Sequence, residues 1–193
     1  MKGSDVRHAD HPIEPLFLDR WSPRAMSGAP ITEHELMILF EAARWAPSSG
    51  NGQPWRMLYA RRDTAAWPLF YELLSERNRM WCRNAAALVL FASRTITDHG
   101  KPSVTHSYDT GAAWENFALQ GARSGLVVHG MQGFDYARAR LTLAIPEEYR
   151  VEAMAAVGQP GTLDDLDETF RARDIPSGRK PLAQIVCEGA FSL

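Results

Sequence analysis

The sequence predicts an α+β domain, and three observations carry that expectation. Strand-like apolar runs and amphipathic helical runs interleave along the chain, without the strict βαβ alternation of a doubly wound sheet. No Gly-x-Gly-x-x-Gly follows a strand, which argues against a nicotinamide held in a Rossmann unit. The chain has 193 residues, 45% of them hydrophobic, enough for one domain with a filled core.

Residues 1–12 read as a loose, flexible leader ahead of a single domain over residues 13–193. A short helix near residues 13–18 leads into the turn Arg20-Trp21-Ser22-Pro23-Arg24. Thr32 and Glu35 have the spacing of a capping box, and Leu36, Leu39, Phe40 and Ala43 follow at helical intervals. That helix must stop before Pro47. Residues 54–61 read as a strand, 65–77 as one helix and 87–92 as a buried strand. The longest helix is expected from Thr105 to Ser124, closing on Gly125, which tolerates a left-handed cap. Gly111, Ala118, Ala122 and Gly125 share one face of it. Tight packing inside one subunit and a subunit interface account for that face equally well. Residues 126–129 follow as a strand, and Asp135 is placed to cap a helix over 136–143. Residues 153–158 are apolar on both faces, which predicts a central strand, and 184–188 read as a final one.

Charged residues make up 23% of the chain and the formal net charge is -2, which offers no long-range attraction for nucleic acid. No apolar run approaches the roughly 20 residues that span a bilayer. The opening MKGSDVRHADH lacks the apolar stretch of a secretory signal, so a cytoplasmic protein that does not engage membranes is expected. Cys82 and Cys187 allow a single disulfide; two buried free thiols in a reducing cytoplasm is the preferred reading. The histidines form no convincing ligand set, so no metal is expected.

Three stretches bear on chemistry. Arg20, Ser22 and Arg24 place two guanidinium groups and a hydroxyl within five residues, donors that suit a phosphate, although such a triplet is usually a solvated turn. Ala46-Pro47-Ser48-Ser49-Gly50-Asn51-Gly52-Gln53-Pro54-Trp55 is a loop of small residues between helix and strand, able to approach a flat ligand or simply to connect. From Gly125, an apolar strand runs into the Gly-rich turn Met131-Gln132-Gly133, whose amides can face a ring nitrogen. His129 there is read as structural ahead of general acid.

Taken in order, with Pro176-Ser177-Gly178-Arg179-Lys180-Pro181 near the end, these stretches resemble the FMN-dependent nitroreductase family from about Leu16 to Glu188. The resemblance implies a nitroreductase-like fold: a central, mostly antiparallel sheet flanked by helices, its C-terminal strand exchanged with a partner subunit. It implies FMN bound non-covalently at the interface of a homodimer. Arg20, Trp21, Ser22 and Arg24 would form the N-terminal binding segment, and Arg179 would close on the phosphate. Pro47, Ser48, Ser49 and Asn51 would line the ring from the partner. Asn78 would meet the pyrimidine side, and Met131, Gln132 and Gly133 the turn facing flavin N5. Trp81 stands where some relatives carry a second basic residue, and the long helical insertion of larger members is missing. The implied activity is reduction of nitroaromatics, quinones or similar small acceptors by NAD(P)H in a ping-pong cycle, with no catalytic side chain required. Reductive dehalogenation, flavin modification or flavin binding without catalysis are the alternatives.

Overall fold

The computed structural model describes residues 1–192; residue 193 of the expected domain lies outside them. Ala87–Arg94 (β2) is buried along almost its whole length, as is the second half of Tyr149–Gly158 (β4). With no polar face to turn to water, these strands take the centre of a four-stranded sheet. Trp55–Arg61 (β1) and Val127–Met131 (β3) flank them in the order β1-β2-β4-β3, every pairing antiparallel. Trp55 lies opposite Ser93, Leu90 opposite Met154 and Met131 opposite Met154 on the other side.

The two-residue period of the strands divides the core. Val89, Phe91 and Val157 face Glu33–Arg44 (α2) and His106–Arg123 (α5) through Leu36, Leu39, Ala43 and Phe117. Leu88, Leu90 and Met154 face the opposite layer, with Leu73, Leu74, Trp81 and Phe170. The capping box forms as expected: Thr32 Oγ1 accepts from Glu35 N at 3.1 Å and Glu35 Oε2 accepts from Thr32 N at 2.7 Å. Pro15–Asp19 (α1) starts on its proline, and α5 is followed by Gly125 at φ +74°. On the small-residue face Ala118 is buried within the subunit and Gly111 is exposed. Close approach inside the chain is made at Gly121, where a Cβ would overlap Val128.

The single helix expected over 65–77 is two, Trp67–Tyr71 (α3) and Glu76–Cys82 (α4). Leu74 leaves the helical path to bridge Phe134, and Ser75 N donates to Gly133 O at 2.9 Å. Ser75 then restarts the chain by accepting from Asn78 N. Tyr136–Thr142 (α6) begins where Asp135 Oδ1 accepts from Arg138 N at 2.9 Å, and Glu168–Arg171 (α7) completes the helices.

No strand forms over 184–188. Leu182–Gln184 is a 3-10 turn, and Ile185 and Val186 are exposed. A strand needs a neighbour for its ladder, and among the described residues this segment has none. For the same reason Cys187 is only partly covered; Cys82 is buried, and both are free thiols. Among the described residues no helix is long and apolar enough to cross a membrane.

Candidate functional site

The segment after α1 runs beside β3, and two buried groups hold its backbone. Asp174 accepts from Arg24 N at 2.7 Å and from Ala25 N at 3.1 Å. His129 Nδ1 lies 3.0 Å from Pro23 O. A carbonyl only accepts, so Nδ1 carries the proton. Burial, and secondarily the Arg24 charge, lowers the His129 pKa to about 4 against the pull of the Pro23 and Ser22 carbonyls. At neutral pH the ring is an uncharged donor that positions the segment. Below about pH 6.5 the unfolded chain takes up a proton that the folded one refuses, so stability falls by about 1.4 kcal/mol per pH unit until it levels near pH 4. Urea unfolding between pH 7 and 5, above the carboxylate range, should show this slope in the wild type and a flatter one in His129→Asn.

Arg20 Nη1 donates to Ser22 Oγ at 3.3 Å, and Arg20 Nε lies 3.6 Å from the half-exposed Glu115 carboxylate. Arg179 Nη1 donates to Gly178 O at 2.9 Å. Between these two, from opposite ends of the chain, stands Arg7. Its Nε donates to Ser177 O at 2.8 Å, and its Nη1 to Arg20 O at 2.8 Å and Leu18 O at 3.0 Å. Burial, then the positive charges of Arg179 and Arg20, lower the Arg7 pKa. Arg7 therefore ties the backbone of Arg20 to the loop that carries Arg179. The sequence reading passed over Arg7, which sits in the expected leader and belongs to no motif. Trp21 is turned toward the N-terminus, its Nε1 donating to Met1 O at 3.2 Å.

Further along the segment, the Arg24 guanidinium lies 6.0 Å from the ring centres of both Trp81 and Phe170. Trp81 is buried, tilts against His129 at 4.6 Å and donates to Asn78 Oδ1 at 3.2 Å. Asn78 Nδ2 in turn donates to Gly133 O at 3.0 Å. A Cβ on Gly133 would sit 2.7 Å from that Nδ2, so the turn closes on Asn78 only because Gly133 has none. The amides of Gln132 and Gly133 donate to nothing among the described residues. Met131 is buried against Cys82, and Gln132 is exposed. Trp114 covers Gly130, where a Cβ would come within 2.7 Å of its ring, so its role is packing.

Pro47, Ser48, Ser49 and Asn51 lie elsewhere. Ser49 N donates to Asp109 Oδ2 at 3.2 Å near the start of α5, and Ser48 Oγ accepts from Gln53 N at 3.1 Å. Gly50, Asn51 and Gln53 have φ of +56°, +55° and +44°, which turns the loop outward at the head of β1. That loop and the Met131–Gly133 turn lie toward the same end of the sheet but on opposite edge strands, three strand spacings or roughly 14 Å apart across the sheet, and Met131 is level with Leu58 rather than with the head of β1. A single chain therefore keeps these two groups of residues apart. A cleft of ≈ 790 Å³ includes Arg20, Trp21 and Asp174, but not Asn78, Gln132, Gly133 or Arg179.

Comparison with known proteins places this geometry. Residues 18–80 match the model of the Nitroreductase family. A solved structure described as an oxidoreductase containing FMN is 44% identical, with a TM-score of 0.94 over 100% of this chain and 99% of that one. An uncharacterized 15.4 kDa protein of Mycolicibacterium smegmatis is 31% identical over 61% of this chain and 80% of its own length. A Streptomyces coelicolor protein named as a candidate NADH dehydrogenase/NAD(P)H nitroreductase is 32% identical over 40% of this chain and 38% of its own. A Desulfovibrio desulfuricans structure, a candidate nitroreductase in complex with FMN, shares the fold at 23% identity, with a TM-score of 0.73 over 95% of this chain and 100% of that one. The matched segment carries Arg20 to Asn78 and the fold agrees along the whole 44%-identical structure, so the chain belongs to the nitroreductase family.

Proposed function

We propose that the protein is an oxidoreductase that binds FMN non-covalently and uses NAD(P)H to reduce nitroaromatics, quinones or similar small acceptors. The observation that carries this reading is that Arg7 joins the backbone of Arg20 to the loop carrying Arg179, which gathers three arginines, with the Glu115 carboxylate beside Arg20. Like charges so placed call for an anion, and a phosphate monoester accepts the forked donors of arginine. The donor set therefore fits the phosphate tail of FMN. The free amides of Gln132 and Gly133, in a turn that Asn78 braces closely, fit the edge of its ring. The described relatives that contain FMN, and the nicotinamide in the name of another, support the choice of cofactor and reductant.

FMN, when bound, supplies the electron chemistry. The chain's own residues bind and orient. Arg20, Ser22 and Arg179 hold the phosphate, Trp21 lies within the same segment, and Arg24 supplies positive charge toward the pyrimidine edge. Asn78 braces the turn through Gly133 O, and Met131, Gln132 and Gly133 present the turn itself. No side chain is required as nucleophile or acid, and His129, uncharged at neutral pH, is not a proton source.

The working unit in this reading is a cytoplasmic homodimer. One chain supplies the arginine-bearing half-site and a second supplies Pro47, Ser48, Ser49 and Asn51, which join the two half-sites that a single chain keeps on opposite edges. The outer edge of β1 has no ladder partner among the described residues, and the C-terminal segment exposes Ile185, Val186 and Phe191. Addition of that segment to the partner's sheet would satisfy both. The test is direct. The purified protein should show flavin bands in the visible, run as a dimer in light scattering, and give parallel reciprocal plots when NAD(P)H and acceptor are varied. Intersecting plots would reject alternating occupancy of one site, and a colourless protein that ignores added FMN would reject the reading.

A further inference from the structure

We propose that Arg7 is a positioning residue: it clamps the turn carrying Arg20 to the loop carrying Arg179, so that both guanidinium groups face one phosphate monoester. The inference rests on the FMN reading of the site. The Arg7 guanidinium bonds to no side chain of either element. Its three hydrogen bonds all go to backbone carbonyls, of Leu18, Arg20 and Ser177, the last 170 positions away in the chain. Carbonyl donation of this kind sets where a backbone lies. Arg20 and Arg179 each sit on a residue whose own or near-neighbour carbonyl Arg7 holds. A planar fork with spaced donors can bridge two segments at fixed separation, whereas the compact ammonium of lysine cannot hold the same three carbonyls in one plane.

The N-terminal segment is built to deliver this side chain. Arg7 N donates to Gly3 O at 2.9 Å, and Gly3 is buried against α1. A Cβ on Gly3 would overlap the Leu18 carbonyl oxygen and stand 2.9 Å from Arg7 Nη1. Ser4 Oγ donates to Asp19, and Lys2 Nζ lies 3.6 Å from the same carboxylate. The first seven residues thus wrap the end of α1 and place a third positive charge behind the two phosphate arginines. The arrangement is costly without an anion and favourable with one.

Flavin titration of the full chain, freed of any flavin carried through purification, tests the clamp with two probes, FMN and riboflavin. Arg7→Ala should weaken FMN by about 10- to 30-fold, the effect of a charge-assisted hydrogen bond or two, and change riboflavin by less than about twofold. Arg7→Lys should fall between. Gly3→Ala, which removes no charge, should show the same selective loss, because it displaces the segment that carries Arg7. Equal losses for both flavins, or no loss for either, would overturn the clamp. A wild type that binds FMN no better than riboflavin would overturn the phosphate site itself, and the clamp with it. Should Arg7→Ala fail to fold, Arg7→Lys and Gly3→Ala carry the same comparison.

Discussion

Arg20→Ala combined with Arg179→Ala should lower FMN affinity by about a thousandfold, with little change in riboflavin affinity. Each guanidinium is expected to give the phosphate charge-assisted hydrogen bonds of about 1.5–3 kcal/mol, so losing both removes roughly 3–6 kcal/mol of binding. Either single variant should lose about 10- to 100-fold. The two effects need not add, because the groups share one ligand and one neighbour, Arg7. Folding should survive. Among the described residues Arg179 bonds only to its own loop, and the carboxylate that Arg20 leaves behind, Glu115, is 42% exposed and free to hydrate. Fluorescence quenching of added FMN, read beside the urea midpoint, separates lost binding from lost structure. A double variant that retains its flavin would remove the foundation of the proposed function.

Asp174→Ala should destabilise the fold by about 3 kcal/mol. The carboxylate is buried and is the acceptor for two backbone amides, Arg24 N and Ala25 N, neither of which has another partner among the described residues. Each amide left unpaired away from water costs about 1–3 kcal/mol. Asp174→Asn keeps a carbonyl oxygen for one amide but turns an NH₂ toward the other, so an intermediate loss is expected. The consequence reaches the site, because Asp174 and His129 are the two side chains that pin the backbone from Pro23 to Ala25. Weaker FMN binding should therefore accompany the lower urea midpoint. Full stability in Asp174→Ala would show that the segment is held elsewhere.

Some of this architecture is legible in the chain. A run such as Ala87–Arg94 has no polar alternation, so only a strand covered on both faces can hold it. The Thr32–Glu35 box closes over three residues and needs nothing remote. The Gly-rich turn at Met131–Gly133 and the arginine triplet are likewise local patterns, and the first subsequently proves to contain free amides. The break between α3 and α4 is not local. Residues 69–77 contain neither proline nor glycine, and what divides them is the bridge from Leu74 to Phe134, sixty positions on. The expected strand at 184–188 fails within the protomer for a related reason: extended structure is satisfied by a neighbour, and sequence alone does not say which chain provides it.

What the sequence by itself determined is therefore the set of elements whose hydrogen bonds and buried faces are settled within a few residues: the caps, the two central strands and the long helix α5. Only the tertiary structure decided that Arg7 joins the backbone of Arg20 to the loop carrying Arg179, and that the Pro47–Asn51 loop lies on the far edge of the sheet. Those placements depend on carbonyls and charges as far as 170 positions apart, and a guanidinium has no local preference that records which distant backbone it will hold.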